Sequence, residues 1–157
     1  MSRLFYEEKA VPLPTKLLLG LALLLLVPFA VAQSNLGELL EAGARKLSAE
    51  DFRQEVTQYI LVGDVPAGGR MELMYASSGV IKGVSNLMTG VPQNPVGGQI
   101  DGVWNIDDSG RICTSMVVGK TFLPFRCQFW FKYKEDYFIA DSDSDRNARV
   151  LRRTVKQ

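Results

Sequence analysis

Histidine is absent from all 157 residues. Its absence removes Ser-His-Asp and Cys-His catalysis and takes away the commonest metal ligand. Cysteine is nearly absent too, at two residues, Cys113 and Cys127; once these are oxidised, zinc sites and thiol nucleophiles lose their ligands as well. No glycine-rich phosphate loop of recognised form occurs. Net charge is also lacking, with 18 Lys and Arg against 17 Asp and Glu. A chain without a basic excess is a poor candidate for nucleic acid, whose binding rests on neutralising phosphates.

What is present begins with an address. A polar start carrying Arg3, Lys9 and Lys16 leads into the apolar run Leu17 to Val27, then Pro28 and the small-residue motif Ala30-Val31-Ala32. That order, with a run too short to span a bilayer comfortably, is the pattern of a secretory signal peptide over residues 1–32, with the mature chain opening at Gln33. The alternative is an uncleaved signal anchor, because the start is long and carries Glu7 and Glu8. Only in that case does the chain meet a membrane, and only through this segment. Both readings place a single domain, residues 33–157, outside the cytoplasm. Without the leader the charge falls to 15 of each sign.

Two helices are expected first. Ser34-Asn35 caps a short one carrying Leu36, Leu39, Leu40 and Leu47 at helical spacing. Ser48-Ala49-Glu50-Asp51 is a capping box, with Leu47 and Phe52 as its hydrophobic staple, and predicts a helix from Ala49 to Tyr59 burying Phe52, Val56, Tyr59 and Ile60. From there the period changes to alternation. Residues 62–69 read as a loop, Arg70 to Ala76 and Val80 to Val84 as a hairpin, and Thr89 to Gly98, with Pro92 and Pro95, as a surface loop.

The stretch Gly102 to Phe131 holds both cysteines and both tryptophans and predicts the centre of the fold. Ile100, Gly102, Trp104 and Ile106 share one face of a strand with one buried side. In the strand Arg126 to Lys134, Cys127, Phe129, Phe131 and Tyr133 share a face that reads as the inward one. Two cysteines in an exported chain most simply pair with each other, closing a loop of about 15 residues worth about 3 kcal/mol; the alternative is two free thiols on neighbouring strands. Cys113 alternates out of phase with Ile112 and Met116, so a disulfide requires either a bulge near Arg111 or an exposed apolar pair. Tyr137 to Ala140 and Ala148 to Val155 complete the pattern. The fold class is α+β, mainly β, with one or two N-terminal helices before a curved antiparallel meander of about seven or eight strands, or a small barrel.

Candidate chemistry is thin. Asp141-Ser142-Asp143-Ser144-Asp145 copies the first ligand positions of a calcium loop, but Arg146 stands where that loop needs glycine and Arg152 where it needs its glutamate; an acidic hairpin turn is the simpler reading. Asp101 and Asp107 share a strand face about 20 Å apart, too far for a paired acid and base. Arg146, Arg149, Arg152, Arg153 and Lys156 read as a solvated, self-paired edge. Trp104, Phe129, Phe131 and Tyr133 are the candidate ligand-lining residues, with the hydrophobic core as the competing reading. No metal or cofactor is implied.

Gly102-x-Trp104-x-Ile106, the turn Gly110-Arg111-x-Cys113, the later Cys127 and the opening Leu47-Ser48-Ala49-Glu50 resemble a family of short exported bacterial proteins of unknown function, domain-of-unknown-function family 995. The resemblance covers Leu47 to Val155, the best-defined core. It implies a signal peptide, a helix followed by a curved antiparallel sheet, and a cysteine pair near the tryptophan strand. It carries over no catalytic residue. The expectation is a periplasmic or secreted, non-enzymatic domain that binds a small apolar ligand in a cupped sheet or an envelope protein along its edge. The alternative is a histidine-free carboxylate hydrolase acting on cell-envelope glycans, which requires two carboxyl groups facing each other across one cleft.

Overall fold

A computed structural model describes residues 34–64, 69–88 and 95–157; the leader expected over residues 1–32 lies outside them. Asn35 caps α1 (Leu36–Glu41), its side-chain oxygen accepting from the Glu38 amide at 2.9 Å. After the two-residue strand β1 (Arg45–Lys46), Ser48 opens α2 (Ala49–Asp51) with a complete capping box in which the Asp51 carboxylate accepts from the Ser48 amide at 2.9 Å. This short helix runs on into a π-helical turn, Phe52–Val56. The wider turn brings Phe52 and Val56 onto one buried face and then ends, so Tyr59 and Ile60, expected to be buried with them, are each 43% exposed.

Eight strands follow: β2 (Ile60–Asp64), β3 (Arg70–Tyr75), β4 (Val80–Met88), β5 (Pro95–Ile106), β6 (Ile112–Val118), β7 (Thr121–Tyr133), β8 (Asp136–Ala140) and β9 (Leu151–Val155). Each pairs antiparallel with the next, and β9 returns to β2 through Leu61 opposite Val155. The meander therefore closes into an eight-stranded barrel, and closure removes the exposed edges that an open sheet would carry. β1 adds an extra strand on β7, with Arg45 opposite Lys132. The expected class, helices before an antiparallel meander, is met in its barrel form.

Two stretches expected as loop are strand. Residues 62–64 belong to β2, because their backbone closes the barrel between β3 and β9. Pro95 to Gly98 belong to β5, where the proline takes the first position of the strand and interrupts no ladder; the remainder of that loop lies outside the described residues.

In a meander barrel, successive turns alternate between the two ends. The β3–β4, β5–β6 and β7–β8 turns share the end at which α2 enters β2; the β8–β9 loop, residues 141–150, lies at the other, hereafter the far end. Inside, Leu61, Met71, Leu73, Tyr75, Ile81, Ile100, Trp104, Ile112, Val118, Trp130, Tyr137 and Ile139 form one buried cluster with Leu47, Phe52 and Val56. A second cluster joins Leu36 and Leu39 of α1 to Phe131, Phe138, Ala140 and Val150, with Phe129 and Tyr133 packed against it.

That second cluster reverses the expected orientation of β7. Trp130 faces the interior, while Phe129, Phe131 and Tyr133 lie on the outer surface beneath α1. Cys127 shares their parity and therefore also faces outward, opposite Cys113, to which it is bonded by a disulfide. The phase problem dissolves: both sulfurs are on the outer face, and the β6–β7 ladder is regular from Ile112 to Thr114, with no bulge near Arg111. Its one register shift falls further along, between Thr114 and Met116, where Pro124 and Phe125 make β7 bulge.

Candidate functional site

The barrel end nearest α2 is closed by side chains. Phe52 is fully buried and meets three rings edge-on, Tyr75 at 5.6 Å, Trp104 at 5.1 Å and Trp130 at 5.0 Å between centroids. Trp104 also donates from Nε1 to the Ala76 carbonyl at 2.9 Å, which satisfies its one polar group. Of the four aromatic residues considered for a ligand cavity, Trp104 is thus packed by the chain's own Phe52. The other three belong to the outer cluster, where Lys46 lies 5.0 Å from the Phe129 ring and Lys134 5.1 Å from that of Tyr133. The structure does not bring the four together.

Beside α2 lies a cleft of about 550 Å³ lined by Glu55, Tyr59, Lys132, Glu135, Asp136 and Tyr137 among others. Most of its charged groups are engaged with one another, and Glu135 has no hydrogen-bond or ion-pair partner among the described residues. Lys132 bonds Glu55 at 2.6 Å, Arg45 pairs with the same carboxylate, and the Tyr137 hydroxyl donates to the Glu55 carbonyl at 2.9 Å. Asp136 is held by Arg152 at 2.6 Å. The hydrogen bond from Lys132 leads the effects that hold the Glu55 carboxyl below the usual range.

The acidic turn after β8 is similarly committed. Asp141 accepts from Gln128, Asp143 from Lys46 at 2.8 Å and Asp145 from the Asn147 amide, while the Ser142 hydroxyl accepts from the Ser144 and Asp145 amides. These bonds make it a hairpin turn that ties itself and β1 together. Asp101 pairs with Lys82, and Asp107 accepts from the Ser109 and Arg111 amides in the β5–β6 turn.

The C-terminal cations divide. Arg146 pairs with Glu41, Arg152 with Asp136 and Lys156 with Glu72, as a self-paired edge requires. Arg153 does not belong to that edge. It lies between Leu151 and Val155 on the inward face of β9, opposite Tyr137, and only 6% of it is exposed. Its Nη1 donates to two backbone carbonyls, those of Asp64 and Arg152, each at 2.9 Å. Its Nε is buried with no hydrogen-bond partner. Among the described residues no carboxylate lies within ion-pair distance of it.

Gly63 makes this placement possible. A Cβ there would meet the Arg152 carbonyl oxygen at 2.6 Å and Arg153 Cδ at 2.8 Å, so the guanidinium crosses β2 only over a residue without a side chain. Desolvation works against the arginine's charge, and the electrostatic neighbours Tyr75 and Asp64 favour it; the Tyr75 phenol is itself pushed up to about 12 by burial. At the far end Arg126, Gln128, Ile139, Asp141, Arg149 and Leu151 line a hollow of about 70 Å³. Neither Arg126 nor Arg149 has an ion-pair partner among the described residues.

The expectation that Arg153 belongs to the solvated edge is wrong, and the sequence holds a signal against it. Leu151, Arg153 and Val155 alternate, and a cation between two inward apolar residues of a barrel strand must point inward with them. The cluster of arginines around it obscured that parity.

Outside, a row of cross-strand neighbours runs Ile60, Met74, Lys82, Asp101, Val117 and Phe122. It ends at two aromatic residues on the solvent side of β7, Phe122 at 66% and Phe125 at 63% exposed.

No family model, curated protein or solved structure matches this chain. Among the described residues no helix is long and apolar enough to cross a membrane.

Proposed function

We propose that the chain is an exported, non-enzymatic binding domain that takes a small ligand in the half of its barrel away from α2. The observation that carries this reading is Arg153: a guanidinium almost wholly withdrawn from water, with an unpartnered Nε and no ion-pair partner among the described residues. A buried charge without an ion-pair partner costs up to several kcal/mol, which two backbone carbonyls offset in part, and a ligand that completes the hydrogen bonding offsets more. The disulfide fits an oxidising compartment, and the leader pattern in residues 1–32 supplies the route to one.

Binding is favoured over glycan hydrolysis by the state of the carboxylates. Hydrolysis by a carboxylate pair needs one member protonated near neutral pH. In the cleft beside α2, Glu55 is bridged by Lys132 and Arg45 and held low, and Asp136 is bound by Arg152, which leaves Glu135 without a second free carboxylate to work with. A second binding reading, a protein partner on the outer face, rests on Phe122 and Phe125.

The test is the mass of the protein recovered from its natural host, under native and then denaturing conditions. A mass beginning at Gln33, two hydrogens light and carrying an adduct lost on denaturation, is expected. A full-length mass without an adduct contradicts cleavage of the leader and the small ligand, indicates a domain anchored by its first segment, and directs attention to partners of Phe122 and Phe125.

A further inference from the structure

The geometry points to a small monocarboxylate as the ligand, held end-on by the Nε and Nη2 edge of Arg153 inside the barrel. This inference rests on the small-ligand reading above and adds the chemical class to it. A guanidinium has five N–H donors. Both donors of Nη1 are used, on the carbonyls of Asp64 and Arg152; Nε has no partner, and Nη2 makes no hydrogen bond among the described residues. The remaining donors therefore include the Nε–H and one Nη2–H, which lie parallel along one side of the fork. That edge matches the two oxygens of a carboxylate.

The backbone fixes which edge is offered. With Nη1 tied to β2 and β9, the plane of the guanidinium is set by two strands of a closed barrel, and rotation that would exchange the edges breaks both bonds. Gly63 keeps this orientation accessible, since any side chain there would strike Arg153 or the Arg152 carbonyl. A site held ready in this way loses little ordering entropy when it binds.

Charge selects between oxyanions. Among the described residues Arg153 is the one buried group that carries a formal charge. One positive charge is neutralised by one negative charge, so a carboxylate leaves the interior neutral, whereas a phosphate dianion would exchange a buried cation for a buried anion. The approach has the matching sign. Arg149, Leu151 and Arg153 follow at every second residue, and at the far-end hollow Arg126 and Arg149, without ion-pair partners among the described residues, outnumber the single carboxylate Asp141, which favours encounter with an anion. Ile139 and Leu151 give the same lining an apolar side, against which a short apolar tail is expected to lie.

The test uses the full mature domain with its disulfide intact, labelled with ¹⁵N at arginine, and four probes: acetate, hexanoate, hexanamide and inorganic phosphate. The Arg153 Nε–H resonance is followed by NMR and affinity by calorimetry, for the native protein, Arg153→Lys and Arg153→Met. Hexanoate is expected to bind and to move the Arg153 Nε–H resonance, with acetate weaker and hexanamide and phosphate weaker still. Arg153→Lys keeps the charge but loses the fork and is expected to bind hexanoate about ten-fold more weakly or worse; Arg153→Met is expected to lose at least about thirty-fold. Hexanamide binding as tightly as hexanoate, with the Arg153 resonance unmoved, overturns the carboxylate inference and leaves the small-ligand reading standing. Preferential binding of phosphate overturns the choice of anion. Failure of all four probes to bind the native protein overturns both.

Discussion

Two buried side chains carry most of the account. Phe52 closes one end of the barrel through three edge-on ring contacts, so Phe52→Ala is expected to cost about 3–5 kcal/mol, seen as a lower denaturant midpoint with little change in slope. Arg153 is also buried, on β9 opposite Tyr137, but it carries a charge that no carboxylate pairs. The disulfide residues were identifiable from their number alone, whereas their orientation was not. Sequence parity set Cys127, Phe129, Phe131 and Tyr133 against Arg126, Gln128, Trp130, Lys132 and Lys134, so the count of apolar residues pointed to the wrong interior face; α1, by covering the aromatic face from outside, lets it be buried there while Trp130 alone of these enters the barrel core.

Local signals located elements well and their ends less well. The capping box at Ser48 is present as its residues require, and Ser48→Ala is expected to lower stability by about 1 kcal/mol, measured by chemical denaturation; an effect near zero would mean that the barrel alone holds α2 in place. The end of that helix was not legible, because a π-helical turn has no residue signature distinct from an α-helical one and moves Tyr59 and Ile60 off the buried face. Val62 and Gly63 looked like loop for a related reason. Glycine marks turns in sequence, yet here it is the inward residue of β2 that lets Arg153 cross, and a close approach between strands distant in the chain leaves no local trace.

At the scale of the molecule, the closed barrel was within reach of the sequence because a meander of about eight short strands has few other ways to hide its edges. Its electrostatics were not. The balance of charge concealed an interior cation and a surface whose acids are well paired. Glu38, Asp51, Glu55, Asp107 and Asp143 are all held below their ordinary values, led respectively by bonds from the Ser34 amide, the Ser48 amide, Lys132, the Arg111 amide and Lys46. A carboxyl lowered on folding contributes stability that is present above its unfolded pKa, about 4, and is lost as the pH falls through the folded value. Thermal stability is therefore expected to stay level from neutral pH down to about 4 and to fall below it, whereas a loss beginning at pH 6 would indicate a buried carboxyl raised on folding.

In the proposed reading Arg153 serves binding and not folding. The thermal midpoints of the native protein and Arg153→Met, each with and without hexanoate, separate the two roles. Replacing a buried unpaired charge by an apolar side chain of similar length is expected to leave the ligand-free protein as stable or more so, while only the native protein gains on adding hexanoate, as binding to the folded state alone requires. A ligand-free Arg153→Met that melts well below the native protein, with no gain from hexanoate in either, would make Arg153 a structural residue and contradict the account.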